Sequence, residues 1–130
     1  MKVTAGIFME NNSVLLMRRA STEPLAGEWE YPGGKFKDGE DGPFCLHREL
    51  KEELGIDANI GNLITIAKMR LNSGQELELY AYEVLDYDGD IILRVHDKME
   101  WIKISDLLHH PQLPADFIIS QTLVNQKSKL

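Results

Sequence analysis

The chain has 130 residues, with a hydrophobic fraction of 43% and a charged fraction of 27%, which is the composition of one water-soluble globular domain. No apolar run approaches the roughly 18 residues that a membrane-spanning helix requires, so a membrane anchor is not expected. The net charge of -7 argues against a nucleic-acid polymer as partner, because proteins that follow a phosphate backbone cluster Lys and Arg.

The N-terminal segment and the cysteine content both predict a cytoplasmic protein. The apolar run that begins at Val3 is interrupted by Glu10, so it is too short for the core of a secretory signal. Cys45 is the only cysteine of the sequence, which excludes an intramolecular disulfide and a cysteine-cluster metal site. A monomer and a homodimer are both compatible with the sequence.

The first third of the chain predicts a β-hairpin followed by a loop. Residues 3–9 and 13–18 are apolar and partly β-branched, and the polar residues 10–12 separate them as a turn would. Residues 33–42 are rich in glycine, which disfavours the interior of both helices and strands. We therefore expect a hairpin near the N-terminus and an irregular loop after it.

Residues 43–54 predict an amphipathic helix. Pro43 suits the first turn of a helix, and Gly55 suits the position after the last turn. An apolar stripe at four-residue spacing runs along one side and consists of Leu46, Leu50 and Leu54. This stripe is expected to pack on a sheet.

The second half of the chain predicts a hairpin, a strand and two helices. The hairpin strands are residues 60–71 and 76–85, with residues 72–74 as the turn. A short strand over residues 99–104 precedes a short helix capped by Ser105 and Asp106, and a last helix runs from Pro114 to about Gln126. The expected fold class is α/β (α+β): one domain over residues 1–130, built as a mixed β-sheet sandwich flanked by helices.

The helix over residues 43–54 carries three carboxylates on one face. At about 100° per residue, Glu49, Glu52 and Glu53 lie within an arc of about 100° beside the leucine stripe. Each like-charged pair costs a few tenths of a kcal/mol, which a merely solvated face would avoid by alternating the signs of its charges. The preceding glycine loop lets backbone carbonyls approach the same point. Oxygen ligands of this kind are those that Mg²⁺ or Mn²⁺ prefers.

The residues around these carboxylates carry a resemblance to a known family. Gly34, Glu40 and the run "RELKEELGI" (residues 48–56) match every specified position of the signature of the Nudix hydrolases. The segments "LLMRRA", "GEWEYPGGK", "EW" and "LPAD" are similar to parts of the MutT-like nucleoside triphosphate pyrophosphohydrolases, including the CTP pyrophosphohydrolase branch. The resemblance spans nearly the whole chain and implies a Nudix fold with a loop-helix-loop catalytic element.

The resemblance also implies Mg²⁺-dependent hydrolysis, with Mn²⁺ as a substitute, and it assigns roles to residues. The metal ligands would be the carboxylates of Glu49, Glu52, Glu53 and Glu100 and the carbonyl of Gly33. The catalytic set would be Glu52, Glu53, Glu100 and Arg48, with Glu40 orienting the cluster. The substrate would contact Arg19, Tyr31, Gly34, Lys35 and Asp116.

Some of these residues have structural alternatives. Arg19 ends a strand, where alternation turns only one of two adjacent arginines inward. The ring of Tyr31 packs in a core as readily as it stacks on a base. His96, like the other histidines, is interpreted as a surface or packing residue.

Asp116 has two interpretations. It either caps or charges the start of the last helix, or it occupies the place where MutT-like proteins position the side chain that hydrogen-bonds the nucleobase. An ionised Asp only accepts hydrogen bonds, so it would select a base edge that presents N–H groups. Cytidine nucleotides and oxidised guanine nucleotides both satisfy this condition.

The leading hypothesis is therefore a MutT-like enzyme of nucleotide pool sanitation that cleaves an NTP or dNTP to NMP and pyrophosphate. Water is expected to attack phosphorus directly, because the cluster offers no activated Ser, Cys or His. One alternative is hydrolysis of another nucleoside diphosphate derivative, such as a nucleotide sugar. A second alternative is a Nudix-derived nucleotide sensor without catalysis, against which the intact carboxylate cluster argues.

Overall fold

The computed structural model describes residues 1–128 and has a mixed α+β architecture of two β-sheets with helices packed on them. The elements in chain order are β1 (Lys2–Ile7), β2 (Met9–Glu10), β3 (Ser13–Arg19), β4 (Trp29–Glu30), α1 (Gly42–Leu54), β5 (Asp57–Arg70), β6 (Glu76–Asp88), β7 (His96–Lys103), a 3₁₀ helix (Ile104–His109) and α2 (Pro114–Ser128). No helix within residues 1–128 is long and apolar enough to cross a membrane.

The strands are divided between two sheets. In the first sheet β6 lies between β1, with which it pairs in parallel, and β5, with which it pairs antiparallel. In the second sheet β7 pairs antiparallel along the whole of β3, so the short strands β2 and β4 share the other edge of β3. The combination of parallel and antiparallel pairs confirms the predicted mixed sheet structure.

The predicted N-terminal hairpin is wrong in its pairing. β1 pairs with β6, and only Met9–Glu10 folds back onto β3. The turn itself is where it was expected, because Asn11 and Asn12 have φ angles of 50° and 64°, which Asn tolerates better than most residues. A parallel partner requires a long crossover connection, so the local sequence gives no sign of it.

The other predicted elements are mostly confirmed. The hairpin of β5 and β6 has its turn at the expected residues, and α2 begins at Pro114. β7 starts three residues earlier than the strand predicted from residue 99. The cap predicted at Ser105 and Asp106 is wrong, because the 3₁₀ helix already begins at Ile104 and its N-terminus has no side-chain cap.

Helix α1 is held in place at both ends. The side chain of Asp41 accepts a hydrogen bond from the backbone N–H of Phe44 at 2.9 Å, and Gly55 follows the last turn with a φ angle of 70°. Arg94 donates from the loop before β7 to the carbonyls of Lys51 and Glu52 at 3.2 and 2.9 Å. The last turn of α1, which carries two of the predicted metal ligands, is therefore fixed by a side chain from another part of the chain.

The side chains of β3 alternate between two apolar clusters. Leu15 and Met17 pack with the buried leucine stripe of α1, whereas Leu16 packs with α2. Directly opposed residues of an antiparallel pair lie on the same face of a sheet. Residues that pair with Met17 therefore lie on the α1 side of the sheet, and residues that pair with Leu16 lie on the α2 side.

Candidate active site

The glycine loop runs beside β1 and leaves one carbonyl free. The N–H of Thr4 donates to the carbonyl of Gly34 at 2.8 Å, and the N–H of Gly6 donates to that of Pro32 at 2.7 Å. Successive carbonyls of an extended segment point in opposite directions, so the oxygen of Gly33 points away from β1. No group among residues 1–128 donates a hydrogen bond to it. A Cβ at Gly33 would lie 2.1 Å from the backbone oxygen of Thr4, which explains the glycine.

The carboxyl group of Glu49 lies against this loop, and that of Glu53 lies near Glu49. A Cβ at Gly34 would lie 2.3 Å from the carboxyl carbon of Glu49. Glu53 lies near Glu49, and its Oε2 atom is buried without a hydrogen-bond partner in the described part of the chain. Burial raises the pKa of Glu53 to about 8, and the negative charges of Glu49 and Glu30 add to the rise. The charge of Arg19 offsets only part of this rise.

Arg48 connects the carboxylates of the Nudix box, which is the signature segment over residues 34–56. Its Nε and Nη2 atoms donate to the two oxygens of Glu40 at 2.6 and 2.8 Å, and its Nη1 donates to Glu49 at 2.8 Å. The hydrogen bonds from Arg48 lower the pKa of Glu40 to about 2. The carbonyl of Lys35 accepts from Nη2 at 3.2 Å, which ties the glycine loop to the same guanidinium.

The oxygen atoms at this point fit a divalent cation only after one side chain turns inward. As they stand, no three His, Cys, Asp or Glu side chains within residues 1–128 are grouped closely enough to hold a metal ion. The side chain of Glu52 is 54% exposed and pairs with Arg48 at 3.1 Å. Such an exposed pair contributes at most about 1 kcal/mol, so Glu52 is free to rotate toward Glu49 and Glu53. Carboxylates and a free carbonyl are suitable ligands for Mg²⁺ or Mn²⁺.

The structure separates Glu100 from the carboxylates that it was expected to join. Glu100 pairs with Leu16 in the ladder between β3 and β7, so its side chain lies on the α2 side of the sheet. Its carboxylate lies 3.2 Å from the Nζ of Lys98 and 3.6 Å from the Nε2 of His110. The neighbouring ammonium group of Lys98 lowers the pKa of Glu100. This arrangement does not bring Glu100 to the other predicted ligands, and its role as a metal ligand stays a prediction.

Asp116 lies in the first turn of α2 but does not cap the helix. The N–H of Phe117 bonds to the carbonyl of Leu113, whereas Oδ1 of Asp116 accepts from the N–H of Tyr31 at 2.9 Å. The residue is only 6% exposed. Burial raises the pKa of Asp116 to about 7, with a smaller contribution from the charge of Glu30. With a pKa of about 7, Asp116 is partly protonated near neutral pH, and its protonated form both donates and accepts hydrogen bonds.

Tyr31 and Arg19 are both held by partners within the protein. The ring of Tyr31 is buried in the core, and its hydroxyl lies 2.6 Å from the Oγ of Ser120. Burial also raises its pKa well above the usual range. Arg19 donates to Glu30 at 2.9 Å and to the carbonyl of Pro24 at 2.6 Å. The substrate contacts of both residues stay predictions.

Two residues of the site were missed in the sequence. Glu30 and His96 lie 2.9 Å apart, next to Arg19, and Glu30 is close enough to Glu53 and Asp116 to raise both pKa values. Glu30 lies in a strand of only two residues. So short a strand has no alternation of polar and apolar residues that would show which face of the sheet its side chain occupies. His96 is buried, as its interpretation as a packing residue implies. That interpretation did not include its hydrogen bond with Glu30.

Known proteins resemble this chain over most of its length. A family model described as NUDIX domain matches residues 1–123. The CTP pyrophosphohydrolase of Escherichia coli K12 is 35% identical over 115 residues, which cover 88% of this chain and 84% of that protein. A putative 8-oxo-dGTP diphosphatase 2 of Mycobacterium tuberculosis is 34% identical over 117 residues, which cover 88% of this chain and 81% of that protein.

Solved structures have the same fold. The solution structure of the E. coli ORF135 protein matches with a TM-score of 0.88 at 30% identity, covering 98% of this chain and 91% of that chain. The crystal structure of a MutT NUDIX hydrolase from Burkholderia pseudomallei matches with a TM-score of 0.81 at 24% identity, covering 94% and 96% of the two chains. At 24% identity, the second match shows similarity of fold and carries no conclusion about activity.

The burial of Asp116 predicts a pH-dependent stability. Its pKa is raised from 3.8 to about 7, so between these values the folded protein holds a proton that the unfolded chain has released. The stabilisation is complete below about pH 4 and is lost as the pH rises through 7, at about 1.4 kcal/mol per pH unit. Urea unfolding between pH 5 and 8 should show the wild type losing stability relative to Asp116→Asn. A difference independent of pH, or the same trend in the exposed-site control Asp106→Asn, contradicts this.

Proposed function

The chain belongs to the Nudix hydrolase family, and on this premise we propose that it is a Mg²⁺-dependent nucleoside triphosphate pyrophosphohydrolase that releases NMP and pyrophosphate. One observation carries the proposal: Glu49 lies against the glycine loop with Glu53 near it, and Oε2 of Glu53 is buried without a partner in the described residues. A cation stabilises such a carboxyl pair in its ionised form, and a cation held there is well placed for a polyanionic substrate.

We propose that Glu49, Glu53, the Gly33 carbonyl and, after rotation, Glu52 hold the cation. When bound, the cation neutralises phosphate charge and lowers the pKa of a water molecule. Arg48 holds Glu49 in place through its hydrogen bond, while Glu40 holds Arg48. Mn²⁺ has a similar preference for oxygen ligands and is expected to substitute.

The attack of water on phosphorus is direct in this proposal. Phosphoryl transfer needs positioning and charge neutralisation more than a covalent intermediate. Cys45 is buried beneath the glycine loop, and burial raises the pKa of its thiol, so it is not an activated nucleophile. Hydrolysis in ¹⁸O-water is therefore expected to label one product without a trapped enzyme intermediate.

The substrate in this proposal is a cytidine nucleotide or an oxidised guanine nucleotide. The names of the similar proteins support both classes. A protonated Asp116 both donates and accepts, so it matches a base edge that places a hydrogen-bond donor beside an acceptor, as cytosine does with N4 and N3. An oxidised guanine presents such a pair as well. We therefore propose that Asp116 contacts the base.

The protein is further proposed to act as one domain in the cytoplasm. β3 contributes side chains to both apolar clusters, so the two halves of the core share a strand. The lone, buried Cys45 suits a reducing compartment. Its partner is the nucleotide itself, and the protein acts as a monomer or a homodimer.

A substrate panel tests the proposed function. Ordinary, oxidised and methylated nucleoside triphosphates are incubated with the protein and Mg²⁺, and pyrophosphate release is measured. A cytidine or oxidised guanine nucleotide should give the highest kcat/KM. Faster hydrolysis of nucleotide sugars than of every triphosphate, or no hydrolysis of any compound, would refute the proposal.

Removing one carboxylate should abolish most of the activity without unfolding the protein. Glu53→Gln and Glu52→Gln should each lower kcat by at least about 100-fold, because each removes an anionic ligand of the cation. In the metal-free protein Glu53→Gln should keep or increase the free energy of unfolding, since it removes a buried carboxyl group whose pKa is raised to about 8 and which folding must keep protonated at neutral pH. The exposed-site control Glu10→Gln should change neither quantity. Near-wild-type turnover in both variants would exclude these residues from the site.

Replacing Asp116 should weaken base selection and spare metal binding. Asp116→Ala is expected to raise KM and reduce the difference among bases by about 1 to 3 kcal/mol, because one hydrogen-bonding group facing the base is lost. Mn²⁺ affinity, measured by electron paramagnetic resonance of the free protein, should stay unchanged. A variant that unfolds at lower temperature but ranks the bases as before would show that Asp116 is only structural.

A further inference from the structure

A chain of hydrogen bonds outside the Nudix box ends at Arg19. The side chain of His96 is fully buried, and its Nε2 lies 2.9 Å from Oε2 of Glu30. The same oxygen accepts a hydrogen bond from Nη1 of Arg19, also at 2.9 Å. A carboxylate oxygen only accepts, so both nitrogen atoms donate to it. One oxygen of Glu30 therefore fixes two donors from neighbouring strands.

A β-bulge brings His96 to this position. Arg18 pairs with Lys98, but Arg19 pairs with His96, so Asp97 is the extra residue of β7. A bulge of this type reverses the alternation of the strand and turns a side chain to the other face. His96 consequently lies on the face of Arg19, which is the α1 side of the sheet.

Glu30 reaches the same face by regular pairing. It lies opposite Met17 in the ladder between β3 and β4, and Met17 packs against α1. The proximity of Glu30 and Arg19 to Glu53 is evident from the influence of both charges on the pKa of Glu53. The three linked residues therefore lie on the α1 side of the sheet, where the phosphate groups are proposed to bind.

The guanidinium of Arg19 is held by two of its three nitrogen atoms. Nε donates to the carbonyl of Pro24 at 2.6 Å, and Nη1 donates to Glu30. Nη2 lies 3.8 Å from the carboxylate of Glu23, which is too long for a hydrogen bond. Nη2 is therefore the nitrogen that a substrate phosphate can engage.

We propose that His96 and Glu30 are positioning residues that hold Arg19 with Nη2 offered to a phosphate of the substrate. The inference rests on the proposed function, in which Arg19 contacts phosphate. Arginine and carboxylate groups favour a two-bond fork when both are free to rotate. The bond from His96 holds the Glu30 carboxylate in an orientation in which only Oε2 contacts Arg19. Without His96, Glu30 is free to rotate, form the fork and cover Nη2.

A double-mutant cycle tests whether His96 acts through Arg19. The variants are Arg19→Ala, His96→Leu and the double variant, with kcat and KM measured for the best triphosphate of the panel. We expect each single variant to raise KM about tenfold with kcat changed less than about threefold, which corresponds to about 1.4 kcal/mol of lost binding. The double variant should be no worse than Arg19→Ala, because the two changes remove one interaction.

Two further variants separate positioning from packing. His96→Gln places an amide N–H near the former Nε2 position and should recover most of the wild-type KM, although it also disturbs the packing. His109→Leu, at an exposed histidine, should leave KM unchanged. If His96→Leu does not fold, Glu30→Gln takes its place in the cycle with the same expectation, since an amide no longer provides the charge that binds Arg19.

The outcomes distinguish this inference from the proposed function. If Arg19→Ala raises KM but His96→Leu lowers only the melting temperature, His96 is structural and the inference is wrong while the proposed function stands. KM effects that multiply in the double variant also overturn it. If Arg19→Ala leaves KM unchanged, the phosphate contact of the proposed function is wrong, and the positioning role is refuted with it.

Discussion

The close approach of α1 to the glycine loop is the contact on which the rest of the site depends. The loop is confined between β1 and the helix: a Cβ at Gly33 would lie 2.1 Å from the oxygen of Thr4, and a Cβ at Gly34 would lie 2.3 Å from the carboxyl carbon of Glu49. Any larger residue at either position would separate the carboxylates of α1 from the free carbonyl of Gly33. The leucine stripe of α1 maintains this distance because it is fully buried on the sheet.

The same contact gathers more negative charge than the protein neutralises by itself. Arg48 compensates Glu40 and Glu49, and its hydrogen bonds keep the pKa of Glu40 low. Within residues 1–128, Glu53 has no comparable partner, and Arg19, whose charge lowers the pKa of Glu53, is already paired with Glu30. The raised pKa of Glu53 therefore follows from an arrangement that provides ligands but leaves part of the positive charge to a cation.

The sequence predicts what depends on local signals and misses what depends on distant pairing. The caps and leucine stripe predict α1, and the alternation within β6 predicts its hairpin with β5. The parallel pairing of β1 has no local signal. The bulge at Asp97 shifts the alternation of β7, so the inward direction of His96 is not visible in the sequence. The protonation of Asp116 depends on burial beneath another element, which spacing alone does not reveal.

The alternation of β3 and its neighbours divides the proposed chemistry between two faces of one sheet. Glu30 and Arg19 lie on the α1 side with the carboxylates of the Nudix box. Glu100 lies on the α2 side, and Asp116 lies in the first turn of α2. In the proposed function the phosphate groups contact the α1 side, and the base contacts Asp116. Under that proposal, substitutions at Asp116 alter base preference and leave the cation site intact. Glu30 is the exception, since its charge influences both Glu53 and Asp116.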